Sequence, residues 1–67
     1  MISPYVRRLR LGMELRALRV AHNMNQDRLA RLINRSRMDI SRLETGHVVD
    51  QADVLSILDV LGIEGDR

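Results

Sequence analysis

The apolar positions of the chain recur at the spacing of a helix. Leu11, Leu15, Leu18 and His22 follow i, i+4, i+7 and i+11, which places them on one helical face. No segment combines apolar–polar alternation with the β-branched residues typical of a strand. The pattern therefore predicts an all-α protein.

The first predicted helix runs from about Val6 or Leu9 to Ala21. Asn23 is expected to end it, because asparagine tolerates the left-handed conformation of a helix C-terminus. Met24 then supplies the apolar residue that folds back on the helix.

The second predicted helix follows Asn25, a favourable N-cap, and has Asp27 in its first turn, where the helix dipole stabilises a carboxylate. Asn34 is expected to end it in the left-handed conformation. The residues predicted to be buried on this helix are Leu29, Ala30 and Ile33.

The third predicted helix has Ser36 as its N-cap and extends from Arg37 to Glu44 or Thr45. Gly46 is the expected C-terminal glycine. The residues that should point inward are Ile40 and Leu43. Two short helices joined by so short a turn form a helix-turn-helix.

The fourth predicted helix covers residues 51–61, with Asp50 and Asp53 at the spacing of a capping box and Gly62 at its end. Its apolar residues exceed what a small bundle can bury: Val54, Leu55, Ile57, Leu58 and Leu61. We therefore expect a homodimer, a C-terminal domain or a partner protein to pack on this helix.

These elements predict a bundle of four short helices, or five, around the helix-turn-helix. Three regions are expected: a basic leader at 1–8, a helix-turn-helix domain at 9–62, and a tail at 63–67. The tail is either frayed or the start of a linker to a C-terminal domain.

The charge of the chain is distributed unevenly. Residues 1–37 contain nine arginines and two acidic residues, for a net charge of +7, whereas residues 38–67 have a net charge of −5. A basic half indicates a polyanionic partner, although a solvated charged face gives the same count.

Several function classes are disfavoured by composition. The chain lacks cysteine, and His22 and His47 are its only histidines, so no metal site is expected. It has no glycine-rich phosphate loop and is too short to enclose an ordinary substrate pocket, so neither an enzyme nor a cofactor is predicted. No apolar run approaches ~18 residues, so no membrane span is predicted, and a cytoplasmic location is expected.

The stretch NQDRLARLINRSRMDISRLETG at 25–46 resembles the helix-turn-helix of the Cro/C1-type repressor family, also called the XRE family. The matching positions are Asn25, Gln26, Leu29, Ala30, Ser36, Ile40, Ser41, Arg42, Glu44, Thr45 and Gly46. The segments LGMELRALR and DVLSILDVLG extend the similarity to the N-terminal domains of actinomycete regulators of the WhiJ type. The resemblance implies a lambda-repressor-like bundle and sequence-specific binding of double-stranded DNA in transcriptional regulation.

In that family the third helix enters the major groove, with its N-terminal residues facing base edges. The resemblance assigns base contacts to Arg37, Met38, Ser41 and Arg42. Arginine can bond bidentately to guanine, and methionine can contact a thymine methyl group. Asp39 either accepts a hydrogen bond from cytosine or acts only as a first-turn partner of the helix dipole.

Phosphate contacts are expected from helix N-termini, short polar side chains and arginines. The candidates are Asn25, Gln26, Arg28, Arg35, Ser36, Thr45, His47 and the leader residues Arg7, Arg8 and Arg10. Arg35 departs from the family, which commonly has an apolar residue there, and Leu32 occupies a usually polar position. The leader either follows the DNA backbone as an arm or is a disordered, solvated start.

The resemblance also implies an ion pair between Arg19 and Glu44 that is structural and not part of the DNA contact. The alternative function is a protein-interaction module, such as an antitoxin-like domain, for which DNA contact is secondary. Such a module has no need of Arg37 and Arg42 on one exposed edge, whereas a DNA-binding domain does. The usual arrangement of the family is a two-fold dimer on a pseudo-palindromic operator.

Overall fold

The computed structural model describes residues 3–48 and 50–62, and within these residues the chain forms four helices and no strand. The helices are α1 Pro4–Ala21, α2 Gln26–Leu32, α3 Arg37–Glu44 and α4 Gln51–Val60. The all-α prediction is confirmed. The predicted tail at 63–67 lies outside the described residues.

Helix α1 begins earlier than the sequence pattern predicted. Ser3 is its N-cap, since the Ser3 hydroxyl accepts a hydrogen bond from the backbone N–H of Val6 at 3.2 Å. Pro4 then occupies the first turn, where its fixed φ suits a helix and its missing N–H is not needed. Residues 4–8 of the predicted leader are therefore part of α1.

The predicted helix ends are confirmed by backbone conformation. Asn23 and Asn34 have φ of 55° and 61°, and Gly46 has φ of 79°. The N-cap of α2 is also as predicted, because Oδ1 of Asn25 accepts from the backbone N–H of Arg28 at 2.8 Å. These caps keep the turns between helices short and fix where α3 begins and ends.

The core contains residues from all four helices. Its buried members are Leu15, Leu29, Ala30, Ile40, Leu43, Ile57 and Leu61. Leu11, Leu18 and Ile33 are half-buried around this cluster. The inward-facing residues predicted for α2 and α3 thus lie in or against the core.

Gly12 allows α1 to approach the C-terminal end of α3 closely. A Cβ atom at this position would lie 2.5 Å from the carbonyl oxygens of both Leu43 and Glu44. Such a distance is well below van der Waals contact, so a side chain here would force the two helices apart. The close approach positions Glu44 for the contacts described below.

Helix α4 is capped by Asp50, whose carboxylate accepts from the backbone N–H groups of Ala52 and Asp53 at 2.9 and 3.4 Å. The predicted capping box is not reciprocal, because the Asp53 carboxylate instead accepts a hydrogen bond from Arg35. Among the apolar residues of α4, Leu55 is exposed while Val54 and Leu58 are half-buried. The apolar surplus of this helix is therefore smaller than the sequence indicated.

Candidate nucleic-acid interface

The N-terminus of α3 is held by a capping box. The Ser36 hydroxyl accepts from the backbone N–H of Asp39 at 3.2 Å, and the Asp39 carboxylate accepts from the backbone N–H of Ser36 at 3.0 Å. The same carboxylate accepts from the Ser36 hydroxyl at 2.9 Å. These bonds from the backbone and the hydroxyl of Ser36 hold the pKa of the Asp39 carboxyl below its ordinary value. The geometry favours the first-turn role of Asp39 over a cytosine contact.

The four residues predicted to contact bases share one side of α3. At 100° per residue, Arg37, Ser41, Met38 and Arg42 cover an arc of about 140°. Arg37, Met38 and Arg42 are exposed, Met38 to 66%, and Ser41 is half-buried. The opposite side of the helix is buried in the core through Ile40 and Leu43, so this outer arc is free to meet a partner.

The C-terminal end of α3 is fixed by a buried polar network. Arg19 donates from Nε to Oε2 of Glu44 at 2.7 Å and from Nη2 to Oε1 at 3.1 Å. Its Nη1 donates to the carbonyl oxygen of Met24 at 2.7 Å, and Nε2 of Gln26 donates to Oε1 of Glu44 at 3.1 Å. Arg19 and Glu44 are 8% and 5% exposed. The expected pair is present, and it ties α1, the start of α2 and the end of α3 together.

Arg35 pairs with the N-terminus of α4. Its Nε donates to Oδ1 of Asp53 at 2.9 Å, and its Nη2 lies 3.7 Å from Oδ2 of Asp50. The hydrogen bond and charge of Asp53, with the charge of Asp50, raise the pKa of Arg35 above its ordinary value. The apolar residue that is common at this position in the resembling family is thus replaced by an arginine that forms an ion pair between the turn and α4. The sequence contained Asp50 and Asp53, but only their capping role was recognised from it.

The loop after α3 carries further predicted contacts. The Thr45 hydroxyl donates to the carbonyl oxygen of Ser41 at 2.8 Å, and Nδ1 of His47 lies 2.8 Å from the same hydroxyl oxygen. Arg8 donates from Nε to the carbonyl oxygen of Gly46 at 3.1 Å. Its guanidinium carbon also lies 5.9 Å from the centre of the Tyr5 ring. Arg8 therefore packs against this loop.

The three leader arginines do not form one patch, since they belong to a continuous helix. Arg7 and Arg10 are three residues apart and lie on the same side of α1, whereas Arg8 is turned about 100° away from Arg7. A disordered start is wrong for Pro4 and the residues after it, because they are helical. Contact of these arginines with the DNA backbone stays a prediction. Arg7, Arg10 and Arg28 are exposed.

The described residues contain no group of three histidine, cysteine, aspartate or glutamate side chains that could hold a metal ion. Within the same residues, no helix is long and apolar enough to cross a membrane. Every buried side-chain nitrogen or oxygen in this part of the chain has a hydrogen-bond partner. The interface candidates are therefore the exposed side chains of the helices and their connecting loops.

A comparison with protein families agrees with this geometry. The family model described as a helix-turn-helix domain matches residues 10–67. No curated protein matches the chain. Because the family match includes α2, the turn and α3 and extends over most of the sequence, this chain belongs to the helix-turn-helix domain family.

Proposed function

We propose that the chain is a sequence-specific regulator of transcription that binds double-stranded DNA with α3 in the major groove. The observation that carries the proposal is the outer arc of α3, which exposes Arg37, Met38 and Arg42 while the other side of the helix is buried. Membership of the helix-turn-helix family implies DNA binding, and domains of this family are typically non-enzymatic. The regulator would act in the cytoplasm, at the nucleoid.

Arg37 and Arg42 are the proposed contacts to guanine, through bidentate hydrogen bonds to its O6 and N7 atoms. They lie about 140° apart around α3 and flank Met38 and Ser41. Met38 is proposed to contact a thymine methyl group, and Ser41 a base or a phosphate. The capping box at Ser36 holds the first turn of the helix that presents them.

The residues proposed to contact phosphate differ in how many hydrogen-bond donors remain after their hydrogen bonds within the protein are formed. Arg7, Arg10 and Arg28 are exposed and form no ion pair within the described residues, so they are the strongest candidates. Asn25 retains its Nδ2 hydrogens, and Gln26 retains one hydrogen on Nε2 after its bond to Glu44.

The other residues proposed to contact phosphate use more of their donor hydrogens in hydrogen bonds within the protein. The hydroxyl hydrogens of Ser36 and Thr45 are donated to Asp39 and to the Ser41 carbonyl. His47 could donate from Nε2 only when its ring is protonated, if Nδ1 donates to Thr45. These residues are proposed as secondary contacts.

Two of the arginines also have competing partners. Arg8 uses Nε on the Gly46 carbonyl but retains its terminal amino groups. Arg35 could contact a phosphate only by giving up part of its pairing with Asp53 and Asp50.

The alternative, an interaction module with secondary DNA contact, makes no use of two arginines on the outer arc of α3. DNA binding measured by fluorescence anisotropy at several salt concentrations distinguishes the two functions. For a DNA-binding domain that neutralises Z phosphates, log K should fall against log salt with a slope near −0.9Z. Absence of binding at low salt would contradict the proposal.

Two arginine variants separate base contacts from phosphate contacts. We expect Arg42→Ala to cost ~1–3 kcal/mol on the preferred sequence and to weaken the preference between sequences. Arg7→Ala should weaken binding equally on all sequences and make the salt slope shallower by about one. Equal, sequence-independent losses in both variants would contradict the assignment of Arg42.

A further inference from the structure

The side of α1 that faces away from the core is apolar along its whole length. Val6, Met13 and Val20 lie seven residues apart, and they are 40%, 62% and 52% exposed. At 100° per residue they fall within a 40° arc, with Leu9 and Ala17 on its two sides. The helix therefore has two apolar faces, one in the core and one without a partner in the described residues.

A shallow groove follows this outer face. Its volume is about 370 Å³, and it is lined by Val6, Leu9, Arg10, Met13, Glu14 and Ala17. An apolar stripe with this heptad spacing is typical of a helix that packs against another helix. Such a row of exposed apolar side chains is a candidate surface for a partner.

We propose that a second copy of this chain packs on the outer face of α1, with the two α1 helices antiparallel about a two-fold axis at Met13. A second copy fits this face because the stripe is symmetric about its centre. In a two-fold interface, if residue i contacts residue j, then j contacts i. Val6 and Val20 are equally distant from Met13, about 10 Å in either direction along the helix. Each therefore meets the other in the second copy, and Met13 meets its own counterpart.

The charges on one flank of the stripe fit the same arrangement. Arg16 is the exposed charge on the other flank, where its two copies lie ~9 Å apart along the axis. Arg10 and Glu14 lie on one flank of the outer face, and neither forms an ion pair within the described residues. In a two-fold antiparallel pair, each flank of a helix faces the same flank of its partner. Arg10 is then displaced along the axis by about two residues, ~3 Å, from Glu14 of the second copy. An arginine side chain spans that offset, so two reciprocal ion pairs form.

Helix α4, where the sequence pattern led us to expect a partner, offers a poorer surface for a second copy. Leu55 is its one strongly exposed apolar residue, beside a groove lined by Leu11, Gln51, Val54 and Leu55. The helix contains Asp53 and Asp59 but no basic residue, so two facing copies would form no ion pair between them. The longer apolar stripe and the arginine and glutamate on its flank therefore favour α1 over α4.

Sedimentation equilibrium of the 67-residue chain without DNA tests the proposal. The salt concentration is ~0.15 M, where the Debye length of ~8 Å screens the general repulsion between two arginine-rich helices. We expect a reversible dimer for the unaltered chain. Met13→Glu should weaken it by at least about tenfold, because each dimer loses two buried methionines and gains two unpaired carboxylates at its centre.

Leu55→Glu is the matched control, since Leu55 is 66% exposed and Met13 is 62% exposed. We expect Leu55→Glu to dimerise like the unaltered chain, and both variants to keep its helical circular dichroism. A chain that stays monomeric at all concentrations, or a dimer that Leu55→Glu dissociates and Met13→Glu does not, would overturn the proposal. Because DNA is absent, this outcome is independent of the proposed function.

A charge exchange tests the antiparallel arrangement itself. Glu14→Arg should weaken the dimer, because four arginines then share one flank. The double variant Arg10→Glu/Glu14→Arg should restore most of the affinity by reversing both reciprocal pairs. A double variant that dimerises no better than Glu14→Arg would overturn the antiparallel pairing.

Discussion

Glu44 is the residue on which the geometry of the helix-turn-helix most depends. Its carboxylate accepts hydrogen bonds from Arg19 of α1 and Gln26 of α2, while its backbone ends α3 against Gly12. A buried carboxylate that is fully hydrogen-bonded fixes the positions of its donors, because each donor would be left unsatisfied by movement. One side chain thus sets the relative placement of three helices.

Glu44→Ala should lower the melting temperature and the DNA affinity together. Arg19 would become a buried charge without its partner, which costs ~3–5 kcal/mol when burial is deep. Thermal unfolding followed by circular dichroism and DNA anisotropy on the same samples measure the two effects. Glu44→Gln keeps the shape and part of the hydrogen bonding, so it should be the milder variant. An unchanged melting temperature in Glu44→Ala would show that the pair contributes nothing to the fold.

Asp39 gives the N-terminus of α3 a pH dependence of known sign. Its pKa is lowered in the folded chain by the hydrogen bonds from Ser36. The stability that it contributes is therefore present above the unfolded pKa, about 3.9, and is lost as the pH falls through the lower folded pKa. Asp39→Asn removes this titration while leaving the other carboxyl groups unchanged.

We expect Asp39→Asn to melt below the unaltered chain at pH 7, with the difference closing as the medium becomes strongly acidic. Melting temperatures of both proteins across the acidic range check this. A difference that stays constant with pH, or an Asn variant more stable at neutral pH, would contradict the capping role of the charged carboxylate.

At the scale of the elements, Arg35 joins the turn before α3 to the N-terminus of α4. Two carboxylates neutralise its guanidinium, so its first role is to hold α4 against the helix-turn-helix. The ion pairs are partly exposed, and exposed pairs contribute modestly to stability. Because these ion pairs join two elements, a variant of Arg35 shows whether this arginine stabilises the fold or contacts DNA.

Arg35→Ala should lower the melting temperature but leave the salt slope of DNA binding unchanged. Arg28→Ala is the matched control, because Arg28 is exposed and forms no ion pair within the described residues. We expect that variant to make the slope shallower by ~0.9 without changing the melting temperature. A shallower slope in Arg35→Ala would show that Arg35 gives up its carboxylates for a phosphate.

Helix boundaries were predictable where a single residue determines them. Asn23, Asn34 and Gly46 end helices because few other residues adopt positive φ, and Ser36 and Asn25 cap because their side chains reach nearby N–H groups. Contacts between elements were harder to predict. The pairing of Arg35 with Asp53 joins residues eighteen positions apart, and local spacing does not reveal it.

The start of α1 was missed for a different reason. Ser3 followed by Pro4 is a clear helix-start signal, but the run of arginines after it was interpreted as a leader. The Arg19–Glu44 pair was expected from family resemblance, since nothing in the local pattern links two residues 25 positions apart.

At the scale of the whole molecule, the uneven charge along the sequence corresponds to particular helices. Helices α1 and α2 carry most of the arginines, whereas α4 is acidic and contains no basic residue. The arginines also differ in their surroundings. Arg19 and Arg35 form ion pairs within the fold, whereas Arg37 and Arg42 are exposed on α3. Net charge alone indicated a polyanion but did not identify the residues that would contact it.

The apolar outer face of α1 was recognised only from the complete arrangement of the helices. From the sequence, the stripe through Leu11 and Leu15 defined the buried face, and the apolar surplus was assigned to α4. Once the fold assigns the Leu15 face to the core, Val6, Met13 and Val20 remain on the opposite side. The pattern of α1 identified the buried stripe correctly. Whether the second stripe is also covered depends on all four helices together, so the pattern of one helix could not reveal it.

The central claim is that α3 recognises a DNA sequence through its outer arc. Selection from a pool of random double-stranded DNA by the purified 67-residue chain tests it most directly. The account predicts an enriched motif with guanine at one or two positions, and loss of guanine at one of them when the selection is repeated with Arg42→Ala. A bound pool with the same base frequencies as the starting pool would contradict sequence recognition by α3.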